Sequence, residues 1–269
     1  VGCKYAIAVN NATAALHLAA TALDVNPGDK VIVTPLTFAA SANCIRYRGG
    51  EVVFCDVEED TYLMDIKKLS RLLSQSPKGT YKGIVLVDFA GYPANLEAFR
   101  QLADEYGLWI IEDACHAPGG YFIDSKGEKQ LCGNGNFADV SVFSFHPVKH
   151  IATGEGGMAT TNCKELYEKL CLYRTHGITK NPALLHENHG GWYYEMQELG
   201  YNYRITDFQA ALGISQLKRA DMGLARRQEI ARRYREGLSD LKGVKLPFVS
   251  DQVFHAYHLF IIQVEDRLG

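Results

Sequence analysis

Seven short runs rich in β-branched and aromatic residues, at 5–9, 30–34, 51–57, 83–89, 108–112, 140–145 and 157–161, recur along the chain with stretches of helical character between them. Strands alternating with helices predict an α/β fold on a mostly parallel sheet of seven strands. The runs VIV (31–33), IVLV (84–87) and WII (109–111) are apolar at successive positions, the pattern of strands buried on both faces, so helices are expected on both sides of the sheet. Residues 14–23 are rich in alanine and leucine, 96–106 are apolar at helical spacing, and 205–220 carry Phe208, Leu212 and Leu217 along one stripe. All three are expected to be helices packed on the sheet. A charged helix is expected over 222–238, followed by a strand-like region at 243–248 and an apolar strand-like run at 258–264. This predicts a large unit over 1–222, then a linker helix and the start of a smaller α/β domain over 223–269.

Composition narrows the partner. The chain has 269 residues, 47% hydrophobic and 22% charged, with a formal net charge of -3. Acidic and basic residues are interleaved, which leaves no footprint for nucleic acid and no polybasic patch for a membrane surface. A small-molecule partner is expected. The seven cysteines (Cys3, Cys44, Cys55, Cys115, Cys132, Cys163 and Cys171) are odd in number and never form a C-x-x-C pair, so they read as reduced thiols rather than a disulfide framework or a zinc site. No apolar run reaches the roughly 18 residues of a membrane span, and no signal segment opens the chain, so a cytoplasmic protein is expected. A first residue Val1 and an end at Gly269, just after an apolar run, read as truncation at both ends.

Ligands of open α/β sheets bind beyond the carboxyl ends of the strands, so the polar residues after each run carry the chemistry. After the first run, Asn10-Asn11-Ala12-Thr13 leads into a helix, as either a plain N-cap or a phosphate cradle of N–H groups and the Thr13 hydroxyl. After the run at 108–112 comes Asp113-Ala114-Cys115-His116, where a carboxylate at a sheet end needs a cationic partner such as a protonated pyridine, or else caps a helix. A Cys115–His116 thiol nucleophile is disfavoured, because neighbours on an extended chain point apart. After the run at 140–145, Ser144-Phe145-His146-Pro147-Val148-Lys149 precedes a glycine-rich stretch, and a lysine in so charge-poor a loop is a candidate Schiff-base nucleophile. These glycines match neither a Walker loop nor the dinucleotide fingerprint. Phe38, at the end of the second run, is either core or a ring that stacks on a planar cofactor. Together these parts are those a pyridoxal phosphate (PLP) site requires.

The segments NNATAALHLAATAL (10–23), GDKVIVTPLTFAASAN (28–43), GGEVVFCDVEEDTYLMD (49–65), IIEDACHAPGG (110–120), VSVFSFHPVKHIATGEGGMATT (140–161) and LGYNYRITDFQAALGISQLKR (199–219) resemble, in this order, the DegT/DnrJ/EryC1/StrS sugar aminotransferases. The resemblance implies the fold type I architecture of PLP enzymes and pyridoxal 5′-phosphate as cofactor. It implies that Lys149 carries the cofactor and Asp113 pairs with its ring nitrogen. His116 would lie beside the phenolic oxygen, Phe38 would stack on the ring, and Ala12, Thr13 and Ser144 would hold the phosphate. Asn202 is similar to a residue that reaches the phosphate from the neighbouring subunit, which implies a homodimer with shared sites. The implied reaction takes an amino group from a donor such as glutamate to a nucleotide-linked keto-sugar. The stretch 175–204 looks similar to the 4-aminotransferases of pseudaminic acid biosynthesis, which act on a UDP-linked 4-keto-6-deoxy-N-acetyl hexosamine. Related dehydrating enzymes carry His in place of the lysine, and here Lys149 stands. A non-catalytic regulator on the same fold is disfavoured by the same set of residues. Asp88-Phe89-Ala90-Gly91 departs from the His-Leu-Tyr-Gly common in the family.

Overall fold

The computed structural model describes residues 1–265. In chain order the first half contains β1 (Tyr5–Val9), α1 (Ala12–Ala22), β2 (Lys30–Val33), α2 (Ala40–Tyr47), β3 (Glu51–Phe54), α3 (Ile66–Ser74), β4 (Tyr81–Val87), a 3-10 turn (Phe89–Gly91), α4 (Leu96–Tyr106) and β5 (Trp109–Asp113). Then come β6 (Tyr121–Ile123), β7 (Lys129–Leu131), β8 (Val140–Ser144), β9 (Gly157–Thr161), α5 (Lys164–Arg174), β10 (Ile178–Thr179) and β11 (Glu195–Met196). The final stretch holds α6 (Asp207–Leu217), α7 (Ala220–Leu238), β12 (Val244–Lys245), β13 (Val253–Phe254) and β14 (Gln263–Val264).

All seven expected runs join one seven-stranded sheet in the order β1-β9-β8-β5-β4-β2-β3. The four pairings from β8 to β3 are parallel, and β9 runs antiparallel to both of its neighbours. Side-chain alternation sorts the apolar runs between two cores. Val31, Val33, Val85, Ile111, Val140 and Val142 pack with Leu16 and Leu18 of α1, Ile45 of α2 and Leu170 of α5. Ile32, Ile84, Leu86 and Ile110 face the other way, against Leu69 and Leu73 of α3 and Leu96 and Phe99 of α4. Continuous apolar sequence is thus what a strand with a core on each face requires, as each such side chain contributes about 1.5–3 kcal/mol on burial.

Several elements differ from the sequence expectation. The run at 83–89 ends as a strand at Val87, because Ala90 (φ 59°) and Gly91 (φ 98°) turn the chain sharply. The run at 51–57 ends at Phe54 on the sheet edge. Helices α2, α3 and α5 were not expected. In α3, Ile66, Leu69, Leu72 and Leu73 nevertheless recur at helical spacing, with Leu69 and Leu73 buried and Ile66 and Leu72 packed beside them. Residues 207–217 do form a helix, but Phe208 and Leu217, nine residues apart, lie on opposite sides of it and make no single stripe, and the helix does not pack on the sheet: Phe208 is 91% exposed, and Leu212 and Leu217 are also exposed. Both sheet faces are already occupied by the five helices above. Over 258–264 only Gln263–Val264 is a strand, paired with β12. The stretch before it spends its backbone groups elsewhere, with Ala256 N–H donating to Gly91 C=O (2.7 Å) and Leu259 N–H to Ala90 C=O (3.1 Å).

Candidate active site

The carboxyl ends of β2, β4, β5 and β8 open onto a cavity of about 700 Å³ that also receives the N-terminus of α1. Seven of the eight residues singled out from sequence line it: Ala12, Thr13, Phe38, Asp113, His116, Ser144 and Lys149. The eighth, Asn202, does not. It is exposed and pairs by an isolated bridge with Thr175.

Asn11 is the N-cap of α1, its side chain accepting from Ala14 N–H at 2.8 Å, so the plain-cap reading of that segment is correct. A cap of this kind leaves room for a cradle. The first N–H groups of a helix, here those of Ala12 and Thr13, have no partner within it and carry the positive end of its dipole. The strand β9 lies hard against this terminus. A Cβ on Gly157 would stand 2.6 Å from Asn11 C and 2.7 Å from Ala12 N, so only glycine lets the two backbones meet.

Asp113 closes β5 on the face shared with α1 and α2, while Glu112 points to the opposite face, as strand alternation requires. The Asp113 carboxylate is buried and accepts from Ser41 Oγ (2.7 Å) and Cys115 N–H (3.2 Å). Both donors are uncharged, which leaves a buried anion facing the cavity in need of a cationic partner. Ser41 had no sequence signal, since it stands 72 positions away on a helix whose pattern was not legible. The Cys115 thiol is pushed well up by burial and by Asp113, so it is not a thiolate, and the thiol-nucleophile reading fails.

Lys149 sits in a loop tied by its own N–H to His146 C=O (2.9 Å) and closed by Phe145 N–H to Gly156 C=O and Thr153 N–H to Phe145 C=O. Burial lowers its pKa, with Cys115 and Asp113 opposing the shift. That favours the free amine, as a Schiff-base lysine needs. Ser144 is buried at the end of β8, and its Oγ accepts from His146 N–H at 3.3 Å. Phe38 is 72% exposed at the mouth, a ring without a core to fill, which leaves its face free to stack. His116 is held down to about 4, by burial first and then by Lys149, so it is neutral near pH 7. His17, Tyr47, Glu155 and Tyr203 also line the cavity without having been foreseen, with His17 Nδ1 3.0 Å from Tyr203 Oη.

These residues fit pyridoxal phosphate. The helix terminus with the Thr13 and Ser144 hydroxyls suits a phosphate. Asp113 suits a protonated ring nitrogen, and Lys149 an aldehyde. A seven-stranded, mostly parallel sheet with this set at its carboxyl ends defines the class of fold type I PLP-dependent transferases. More particularly, the model of the DegT/DnrJ/EryC1/StrS aminotransferase family matches residues 1–268, and the chain belongs to that family, whose members use PLP. A UDP-4-amino-4,6-dideoxy-N-acetyl-beta-L-altrosamine transaminase of Campylobacter jejuni is 43% identical over 87% of this chain and 57% of its own length. A GDP-perosamine synthase of Escherichia coli is 36% identical over 96% of this chain and 65% of its own. A Streptococcus pneumoniae protein described as a sugar aminotransferase, solved in PLP and PMP forms, superposes on this chain with TM-score 0.84 in the PLP form. It shares 30% identity over 98% of this chain and 67% of its own. The chain spans 57–67% of the length of the curated relatives it matches. Among the described residues no helix is long and apolar enough to cross a membrane.

Proposed function

We propose that the protein transfers an amino group, from glutamate, to the 4-keto carbon of a UDP-linked 4-keto-6-deoxy-N-acetyl hexosamine. The observation that carries this reading is the convergence of Lys149, Asp113 and the α1 terminus on one cavity. When bound, pyridoxal phosphate supplies an electron-accepting ring and an aldehyde that takes up and returns the amino group. The Asp113 carboxylate, oriented by Ser41 and the Cys115 N–H, holds a proton on the ring nitrogen. Lys149 Nζ takes the proton from the amino donor's Cα and returns it in the reverse sense on the sugar side. Thr13, Ser144 and the N–H groups of Ala12 and Thr13 anchor the phosphate, and Phe38 covers one ring face.

The UDP-linked substrate is supported by the 43% identity to the Campylobacter enzyme. The GDP-perosamine synthase supports a second reading, a GDP-linked keto-sugar. Asn202 reaching the phosphate of a neighbouring subunit belongs to the same proposal, and the exposed Phe208 and Leu212 of α6 form an apolar face that a homodimer would cover. So do a cytoplasmic setting and the division into a large cofactor-binding unit (1–222) and the beginning of a smaller one (223–269).

Incubating the protein with PLP, glutamate and a panel of nucleotide 4-keto-sugars, with products weighed by mass spectrometry, tests class and substrate together. The UDP-N-acetyl hexosamine derivative is expected to gain an amine. Lys149→Ala is expected to abolish turnover, and amination at the normal rate by that variant would end the assignment.

A further inference from the structure

The turn at 88–91 joins three segments. Its Ala90 N–H donates to His116 Nδ1 at 3.3 Å. Ala90 C=O and Gly91 C=O accept from Leu259 and Ala256, so the same turn binds the backbone of 256–259. Gly91 is obligatory at this junction: a Cβ there would lie 2.8 Å from His116 C=O, 2.9 Å from Tyr257 N and 2.9 Å from His258 N. What the junction delivers is His258. Its ring stacks on that of His116, with centroids 4.3 Å apart and planes inclined by 28°, and lies 5.8 Å from the ring of His150. Nothing in the cavity's lining announces His258, which arrives from the stretch beyond α7, 142 positions after His116 (258 − 116).

A nitrogen that accepts from a backbone N–H carries no proton itself, so the contact with Ala90 places the hydrogen of neutral His116 on Nε2. We infer that His258 is a positioning residue: stacked on His116 and locked by the 88–91 turn, it holds that ring in the neutral Nε2–H form as a hydrogen-bond donor of the cofactor cavity. The inference rests on the PLP reading above for its purpose, but not for its geometry. A ring that covers the imidazole excludes water from one face, which disfavours the imidazolium. The charged and titratable groups facing the pair act in known directions. Lys149 and His150 disfavour protonation of His116, Asp113 favours it, and Lys149, His150 and Arg227 disfavour protonation of His258. His150 Nε2 lies 2.9 Å from Ala256 C=O and donates to it, and His150 Nδ1 and His258 Nδ1 are buried without a partner among the described residues.

The test uses the cofactor-free protein labelled with 15N-histidine, in which long-range proton–nitrogen correlation reports tautomer and titration of each ring. In the wild type, His116 is expected as Nε2–H and unprotonated down to pH 5. An Nδ1–H tautomer or a protonated ring at pH 7 overturns the inference, whatever any variant does. His258→Phe keeps a stacking ring and is expected to leave the tautomer and titration unchanged. His258→Ala removes the ring and is expected to raise the His116 midpoint by about one pH unit or more. If His258→Ala does not fold, as circular dichroism would report, wild type and His258→Phe carry the test, and a shifted midpoint in His258→Phe counts against the inference. In the PLP-loaded protein, the acid limb of the kcat profile is expected to move to higher pH in His258→Ala, with kcat falling on the order of tenfold and KM for the amino donor changing less. His258→Phe should restore both. A protein that never changes its visible spectrum on adding PLP would overturn the function while leaving the histidine measurement standing. The reverse result would overturn only the positioning role.

Discussion

Two carboxyls, adjacent along the ends of the sheet, have different tasks because they face opposite sides of it. Asp113 faces the cofactor cavity. Glu112 faces the other way, with Asp88 beside it, and both are fully buried. Glu112 accepts from Gly133 N–H (3.0 Å) and from Ser141 Oγ, and Asp88 accepts from Ala94 N–H at 2.8 Å. Burial first, and then the charge of Glu112, push the Asp88 carboxyl well above its ordinary range. The native state therefore binds more protons at this site than the unfolded chain above the ordinary carboxylate range, and the contribution of this site to stability falls as pH rises, opposite in sign to that of buried histidines. Asp88→Asn keeps an acceptor for Ala94 and offers an amide donor to Glu112. Its urea-unfolding midpoint is expected to vary less between pH 5 and 9 than that of the wild type. Parallel curves for the two proteins would refute the raised Asp88 carboxyl.

At the scale of elements, the joint between β9 and the start of α1 is the tightest near the site. Gly157→Ala sets a methyl group against Asn11 C and Ala12 N, both backbone atoms that cannot swing aside. Moving the α1 terminus away from the cavity is expected to weaken PLP binding by about tenfold or more and to cost roughly 1–3 kcal/mol of stability. A spectroscopic PLP titration indistinguishable from wild type would show that the terminus does not hold the phosphate. The loop 145–156 shows the same logic from the other side. Its backbone ties fix where Lys149 begins, and four rotatable bonds then take the amine to the cavity.

The whole molecule gathers five histidines whose pKa is lowered. Burial is the leading cause in each, with His116 and His150 held near 4, His255 and His258 near 3, and His17 also lowered. A depressed histidine contributes stability that is complete above its unfolded value of 6.5 and is lost as pH falls toward the folded one. The thermal midpoint is expected to drop by at least about 5 °C between pH 7 and pH 5, read by calorimetry. A flat profile would mean that these rings are not buried as described. At the same scale, Phe208 and Leu212, four apart on α6, leave an apolar helix face open to solvent. Phe208→Asp is expected to convert a dimer to a monomer in sedimentation experiments. A wild type that sediments as a monomer would remove that part of the functional proposal.

The pattern along the chain determined what local physics determines. Seven apolar runs sort into two cores whichever way the sheet is wired, and the polar residues that follow them stand at strand ends, where ligands of such sheets bind. That is why the pattern put Lys149, Asp113, His116, Ser144, Thr13, Ala12 and Phe38 at strand ends, where they line the cavity, while the roles expected of them came from the resemblance to a family. Only the tertiary structure decided what depends on distant segments meeting. Ser41 orients Asp113 from a helix 72 positions earlier in the chain. His258 reaches His116 through a turn of backbone hydrogen bonds, and such bonds leave no mark on side-chain sequence. The apolar residues of α6 were expected to form one stripe on the sheet, but Phe208 and Leu217 lie on opposite sides of the helix and both are exposed.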